Sequence, residues 1–278
     1  VLEQFDVEDT LSFFEQIGIT PTEKNGYYYP MSMQAVSVRD VLLMELERLG
    51  VEIRYNIGIR GISDKNSHYE ICTKNGNFLA KTCILATGGR SSKKTGSDGS
   101  GFLYLVPLSH HVTDLVPALV GLKAKQPYFK EVAGIRAYAR VTLFVENAQK
   151  ASDLGEVQLT DYGISGIPVF QVSRYATIAL ENHKKVTASL QFLPDMEAEK
   201  VADIIAQRFV YSKEKTAFEA LIGLFPQKLA RLLLKLAEIP ETKKAIRCTK
   251  EEHQALCGMI GNFPCEITGS GNFEQAQV

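Results

Sequence analysis

The sequence has almost no excess charge of either sign. Its 278 residues carry 31 Lys and Arg against 32 Asp and Glu, a formal net charge of −1. A surface that binds nucleic acid needs a basic excess, so nucleic acid is not predicted as a partner. No apolar run approaches the roughly 18 residues of a membrane-spanning helix, so no membrane partner is predicted either. The apolar content of 45% and charged content of 23% are typical of a soluble globular protein.

Cysteine is scarce and shows no paired spacing. The five cysteines are odd in number, and no two of them form C-x-x-C. Cys72 and Cys83 lie in apolar, strand-like runs, which predicts reduced, buried thiols rather than a disulfide or a metal site. Unpaired cysteines are typical of a reducing compartment, so we expect a cytoplasmic protein. The N-terminus has no basic region followed by an apolar core, which predicts no signal peptide.

The common phosphate-binding motifs are also missing. Neither a P-loop nor G-x-G-x-x-G occurs; the glycines of TGSDGSG (95–101) fall as G-x-x-G-x-G. That segment is either a flexible surface loop or a loop whose amides and hydroxyls hold a cofactor. Gly269-Ser270-Gly271 does not qualify as a dinucleotide fingerprint, because Glu274 stands in place of the third glycine. The chain therefore lacks the residues for a complete Rossmann phosphate site.

No metal centre and no catalytic side chain is identified. The sequence has no H-E-x-x-H and no Cys/His cluster, and His110 and His111 are adjacent, so their side chains point in different directions. Ser165 lies in GISG, but Ile167 takes the place of the last glycine of G-x-S-x-G, which favours a tight loop over a nucleophile elbow.

The periodicity of the first third alternates between helix and strand. Apolar spacing predicts helices over 9–17, closed by Gly18, and over 38–49, capped by Ser37. VEIRY (51–55) predicts a strand, and YEICTK followed by Asn75-Gly76 predicts a β-hairpin. Together these elements indicate part of a nucleotide-binding α/β domain.

The remaining residues separate into a β-rich part and a helical part. Short β-branched and aromatic runs between 115 and 193, IPVFQVSRYATIAL among them, predict the strands of a sandwich or barrel. Apolar spacing over 196–239 predicts helices, and Thr249 with Glu252 has the spacing of a capping box. CEITGSGNF (265–273) then predicts a strand and a glycine-rich loop.

CILATGGRSS (83–92) is the segment with the clearest functional implication. Cys83 to Ala86 predict a buried strand that ends in Thr87, Gly88 and Gly89. Bare backbone at a strand end lets a phosphate or a flat cofactor approach closely. Tyr27 to Tyr29 are either a stacking wall for such a cofactor or ordinary packing between helix and strand.

Four segments in this order resemble one bacterial family. They are ILATGGRSS with TGSDGSGF, LVPALVGL (115–122), GEVQLTDYGISGIPVFQVSR (155–174) and GSGNFEQAQV (269–278), and YYYPMSMQAVSV (27–38) adds a looser match. The chain is similar to the BaiN/YhiN-type NAD(P)/FAD-dependent oxidoreductases, which include aminoacetone oxidase-like flavoproteins. Here Ser92-Lys93 stands where that family has Tyr-Pro, and Ser100 stands where it has an acidic residue.

The resemblance implies a fold class and a set of domains. It implies an α/β plus β protein: part of a two-part, Rossmann-like FAD-binding domain with an inserted β-barrel or sandwich domain that carries a helical subdomain. The implied divisions are the middle of the FAD domain (1–114), the barrel (115–194), the helical subdomain and return (195–262), and re-entry to the FAD domain (263–278). The first residue, Val1, and the lack of a G-x-G-x-x-G unit are typical of an excerpt from a longer flavoprotein.

The resemblance also implies contacts between individual residues and the cofactor. Thr87, Gly88 and Gly89 match a strand end against the cofactor, and Thr95, Gly96 and Gly99 match the loop after it. Ile59 matches a backbone position near adenine, Tyr29, Pro30 and Ser32 match a segment near the flavin ring, and Gly271, Glu274 and Gln275 match the re-entry.

The implied function is hydride transfer between NAD(P)H, FAD and a small or steroid-like organic substrate. Without the pyrophosphate-binding unit, we expect the chain alone to bind FAD weakly or not at all and to be inactive. The alternative is a non-catalytic binding or interaction module with a structural α/β part. The role of the inserted domains, as a lid or as a docking surface, is open.

Overall fold

The computed structural model describes residues 3–24 and 26–277 of the protein. The chain divides into two compact units, the first ending at Lys81 and the second beginning at Thr82. Among the described helices, none has the length and apolarity needed to cross a bilayer.

The first unit combines two helices with two small antiparallel sheets. Strands β1 and β2 form one hairpin, and β3, β4 and β5 form a three-stranded sheet in that order. The elements are α1 (Val7–Gln16), β1 (Pro21–Lys24), β2 (Tyr27–Pro30), α2 (Ala35–Arg48), β3 (Ile59–Asp64), β4 (Tyr69–Thr73) and β5 (Gly76–Ala80).

Both predicted helices of this unit are present, but one predicted cap is wrong. A reciprocal capping box between Asp6 and Asp9 starts α1. Helix α2 begins at Ala35 after Gln34, so Ser37 lies inside its first turn. The hydroxyl of Ser37 instead accepts a hydrogen bond from the Ser32 hydroxyl at 2.8 Å. Residues 35 and 36 adopt helical backbone as well, and this moves the start of the helix upstream of the predicted cap.

The predicted hairpin is confirmed, whereas two predicted strands are wrong. Strands β4 and β5 pair from Tyr69 with Ala80 to Thr73 with Gly76. Residues 51–55 and 83–86 have no strand structure, and Ile84 is 88% exposed. An apolar run becomes a strand only beside a hydrogen-bonding neighbour, and the described residues place none next to these two segments.

The second unit is built around a closed six-stranded barrel with the order β10-β11-β6-β9-β8-β7. Every neighbouring pair in it is antiparallel. Its elements are α3 (Ser100–Leu105), β6 (Leu122–Ala124), β7 (Ile135–Val145), β8 (Ala148–Thr160), β9 (Gly163–Ser165), α4 (Ile167–Glu181), β10 (Val186–Phe192), α5 (Ala198–Tyr211), α6 (Ala217–Leu221), α7 (Gln227–Leu236), α8 (Lys250–Gly261) and β11 (Phe263–Ser270).

Alternating side chains fill the barrel core. Every second residue of β7 from Ala139 to Val145 is buried, and the same alternation holds along β10 from Val186 to Phe192. Phe263, fully buried at the start of β11, has its ring within 5.6 Å of the Phe192 ring centroid. The short β-branched and aromatic runs between 115 and 193 predicted a sandwich or barrel, and the barrel is confirmed.

Two segments take a different place from the one predicted. IPVFQVSRYATIAL forms α4, which packs against β7, β8 and β11, rather than a strand. Seven residues of α4 are buried. A helix that is buried on most sides is rich in apolar residues, as a buried strand is, so composition alone does not distinguish the two. Residues 263–270, predicted as re-entry to the FAD domain, form β11, which closes the barrel between β10 and β6. The division of the chain into four domains otherwise stays a prediction.

The helical segment between β10 and β11 agrees with the predicted periodicity. Helices α5 and α7 lie where the apolar spacing placed them, α8 begins at the predicted capping box, and α6 adds one short helix. The predicted capping box is present: the Glu252 amide donates to the Thr249 hydroxyl, and the Thr249 amide donates to the Glu252 carboxylate at 2.7 Å. The Glu252 carboxylate also accepts from the Lys243 ammonium at 2.7 Å, which lowers the pKa of that carboxyl.

A half-buried histidine makes the stability of this helical segment dependent on pH. His253 on α8 meets the Phe209 ring of α5 edge-on at 4.8 Å, and its Nε2 is buried without a hydrogen-bond partner. Burial lowers the pKa of His253 from its ordinary value of 6.5, opposed by the nearby Glu252. The unfolded chain therefore takes up this proton at a higher pH than the folded chain, and stability falls as pH drops through 6.5.

We expect His253→Phe to lose less stability than wild type when the pH falls from 7.5 to 5.5. Urea unfolding at both pH values measures the difference, and His110→Gln is the control because His110 is exposed. The carboxyl of Glu252, with its lowered pKa, stays ionised over that range. An equal loss in wild type and His253→Phe would contradict this assignment.

Candidate functional site

Residues 87–101 form the glycine loop, which returns on itself in the second unit. The Ser92 and Ser97 backbones bridge the loop, with the Ser97 amide donating to the Ser92 carbonyl at 3.1 Å. The Thr95 hydroxyl donates to the Ser92 side chain at 2.7 Å. These bonds give the predicted contact residue Thr95 a structural role within the loop.

The two ends of the glycine loop touch each other closely. Gly101 is buried, and a Cβ added there would overlap the Thr87 hydroxyl. A Cβ added at Gly88, whose φ is +72°, would overlap the Ser97 hydroxyl. Gly88 and Gly101 are thus required by the packing of the loop itself.

Gly89 differs from these two glycines. An added Cβ at Gly89 would meet no described heavy atom within 4 Å, and its φ lies outside the left-handed region. Gly58, Gly61, Gly258 and Gly261 have the same open surroundings, so open space alone does not set Gly89 apart. At the end of the segment 83–89, this glycine leaves bare backbone accessible to another group.

Arg90 joins the glycine loop to the segment 271–275. Its aliphatic stem packs against Gly99, where an added Cβ would lie 3.3 Å from Cγ of Arg90. Its guanidinium lies 4.8 Å from the centroid of the Phe273 ring. No ion pair to Arg90 is present among the described residues, so its charge is held by an aromatic face rather than by a carboxylate.

The segment 271–275 is a tight turn fixed to the start of the barrel. The Gly271 amide donates to the Gly121 carbonyl at 2.9 Å. The Asn272 amide donates to the Gln275 side chain, and the Gln275 amide donates back to the Asn272 side chain, both at 3.1 Å. Glu274 is exposed. Through Phe273 and Arg90, the structure brings this predicted segment and the glycine loop together.

The other predicted contacts lie in the first unit. Tyr29 and Pro30 line a cavity between α1, the β1–β2 hairpin and α2. Ser32 bonds to Ser37 beside it. Ile59 begins β3 and does not line that cavity.

Sequence reasoning missed Arg90, Phe273 and the α1 side of this cavity. Arg90 lies between two glycines and two serines. This context predicts a loop but does not predict which residue the arginine contacts. Phe273 is a single aromatic residue after Gly-Ser-Gly-Asn, and no local pattern predicts its partner. Only the pairing of distant segments shows that the two side chains stack.

The histidines, Ser165 and the cysteines lie outside the glycine loop, and Cys72 and Cys83 are less buried than predicted. The described residues contain no cluster of three or more His, Cys, Asp or Glu able to hold a metal. Ser165 ends β9, where Gly163 is needed because an added Cβ would overlap the Leu122 carbonyl of the neighbouring strand. All five cysteines are free, Cys72 and Cys83 are half-buried, and burial raises the pKa of the fully buried Cys265.

We expect Gly101→Ala to open the glycine loop and Thr87→Ala to restore it in part. The new methyl group would displace the Thr87 hydroxyl, and such overpacking costs about 1–3 kcal/mol. Trypsin checks this, because Arg90, Lys93 and Lys94 are cleavage sites within the loop: Gly101→Ala should be cut there faster than wild type. Equal cleavage rates in both proteins would contradict the contact.

The barrel, the helical segment and the glycine loop together define a known class of protein. Residues 1–189 match the HI0933-like protein Rossmann domain, and residues 116–278 match the HI0933-like protein barrel and H2TH domain. The chain belongs to this HI0933-like family, and the predicted BaiN/YhiN-type membership and the fold class of a Rossmann-like domain with a barrel and a helical region are confirmed.

One relative is similar along the entire chain. It is the 3-dehydro-bile acid delta(4,6)-reductase of Clostridium scindens, 37% identical over 278 residues. The match covers 100% of this chain and 68% of the reductase.

Proposed function

We propose that this chain carries the glycine loop and the inserted domains of a flavin-dependent oxidoreductase that uses NAD(P)H to reduce a small, steroid-like organic substrate. The observation that carries the proposal is 37% identity to a bile acid reductase over the whole chain. Membership of a family with a Rossmann domain supports a dinucleotide cofactor, and FAD is the one that the resemblance implies.

The chain's own residues fit an FAD contact at the glycine loop. Gly89 offers bare backbone with room for a Cβ, which is what close approach by a flat or phosphorylated group requires. Thr87, Gly88, Thr95, Gly96 and Gly99 complete the loop, and Arg90 places a cation beside it.

FAD and the protein residues would have different roles in the reaction. FAD, when bound, supplies the redox centre, which no protein side chain can replace. The glycine loop and the turn 271–275, which includes Gly271, Glu274 and Gln275, would position the cofactor. No side chain in these segments is assigned as a general acid or base.

We further propose a cytoplasmic location. The support is the five free cysteines, which are typical of a reducing compartment.

An activity assay tests the function. We define the chimera as the Clostridium scindens reductase in which this chain replaces the matching segment. With FAD and NADH or NADPH, the chimera should oxidise the nicotinamide only when a 3-dehydro-bile acid that carries the 4,6 double bonds is present to accept the electrons. The 278-residue chain alone, which has no G-x-G-x-x-G, should show no activity. A folded, flavin-loaded chimera without substrate-dependent oxidation would contradict the proposal.

A further inference from the structure

The first unit contains an apolar cavity of about 310 Å³. Helix α1 forms one wall, the β1–β2 hairpin a second and the start of α2 a third. The lining includes Leu11, Phe14, Ile19, Pro21, Tyr29 and Val38. Ligand pockets have volumes of about 300–1,000 Å³, so this cavity suits one compact ligand rather than a dinucleotide.

The described lining offers no charged partner to a charged group placed inside the cavity. No charged side chain lines the cavity among the described residues. Its aliphatic hydroxyl, on Thr10, already donates to the Asp6 carbonyl at 2.7 Å. The phenol groups of Tyr28 and Tyr29 are the remaining polar groups of the lining. A phosphate, a sugar acid or an amino acid would lose its hydration here without gaining a partner.

Local interactions restrain the walls of the cavity. The capping box of Asp6 and Asp9 fixes the start of α1, and Phe14 packs edge-on against Phe13 with ring centroids 5.3 Å apart. Pro21 and Pro30 are paired across the hairpin, and both have restricted backbones. A preformed cavity with rigid walls binds a rigid ligand at the lowest entropic cost.

We propose that this cavity binds the hydrocarbon ring system of a steroid-like ligand, with the Tyr28 and Tyr29 hydroxyls available to its oxygen substituents. The choice of a steroid-like ring system rests on the proposed function. The cavity itself, its volume and its uncharged lining do not depend on it.

Equilibrium dialysis of a 3-dehydro-bile acid against the 278-residue chain tests the proposal. Leu11→Trp fills the cavity and should weaken binding at least tenfold. Ser12→Trp is the matched control, because Ser12 is the exposed neighbour on the same helix, and it should bind like wild type. Val38→Phe fills the cavity from α2 and covers the case in which Leu11→Trp does not fold, as judged by thermal unfolding.

The possible outcomes separate this inference from the proposed function. Loss of binding in both filling variants supports the cavity, even if the chimera shows no reductase activity. Unchanged affinity in the filling variants, or no binding by wild type, overturns the cavity site, even if the chimera is active. Displacement of the bile acid by riboflavin, or equal affinity for a straight-chain fatty acid, also overturns the assignment to a steroid-like ring system.

Discussion

Gly89→Ala should weaken FAD binding to the chimera at least tenfold, which corresponds to about 1.4 kcal/mol or more. Inside the described chain, the added methyl group meets no heavy atom within 4 Å, so the fold tolerates it. The methyl group would instead occupy the space through which the cofactor approaches the backbone. The affinity should therefore fall while the temperature of thermal unfolding without FAD stays the same.

Gly258→Ala is the matched control for this substitution. Gly258 also has no described heavy atom within 4 Å of an added Cβ, but it lies inside α8. Alanine in a helix interior is more stable than glycine by about 0.5–1 kcal/mol, so the control should gain stability and keep its FAD affinity. Equal FAD affinities for Gly89→Ala and wild type would show that the cofactor does not approach Gly89.

Phe263→Ala should lower the free energy of unfolding of the second unit by about 3–5 kcal/mol. Phe263 is fully buried, and its ring meets Tyr128 at 5.5 Å, Phe129 at 6.2 Å and Phe192 at 5.6 Å between centroids. Its removal leaves a cavity at the point where β11 joins β10 to complete the barrel.

Urea unfolding measures this loss, with Tyr138→Ala as the control. Tyr138 lies on β7 and is 54% exposed, so its loss should cost no more than about 1 kcal/mol. If Phe263→Ala costs no more than Tyr138→Ala, the ring cluster around β11 does not stabilise the barrel.

The sequence was most informative where local chemistry decides the structure. The Thr249–Glu252 capping box and the Asn75-Gly76 hairpin are present, because caps and turns depend on a few neighbouring residues. The β-branched and aromatic runs that contain 139–145 and 186–192 likewise predicted strands, and in the structure every second residue of each faces the core.

The predictions were wrong where contacts with residues distant in the sequence determine the structure. Residues 167–181 are apolar because α4 is buried on the barrel, and burial alone does not separate helix from strand. Residues 263–270 close the barrel because they fit between β10 and β6, which no local pattern records.

The candidate site could be predicted only in part, for the same reason. ATGG and the following glycines predicted a loop at 87–101, because glycine, which has no side chain, is identified directly from the sequence. The stacking of Arg90 on Phe273 joins residues 183 positions apart, and only the fold brings them together. Which of the predicted contacts touch FAD stays a prediction.

Fluorescence titration of FAD into the chimera tests the central claim most directly. We expect saturable binding of one FAD per chain by the chimera, and weak or no binding by the 278-residue chain alone. A correctly folded chimera that binds no FAD would contradict the claim that this chain contributes to a flavin site.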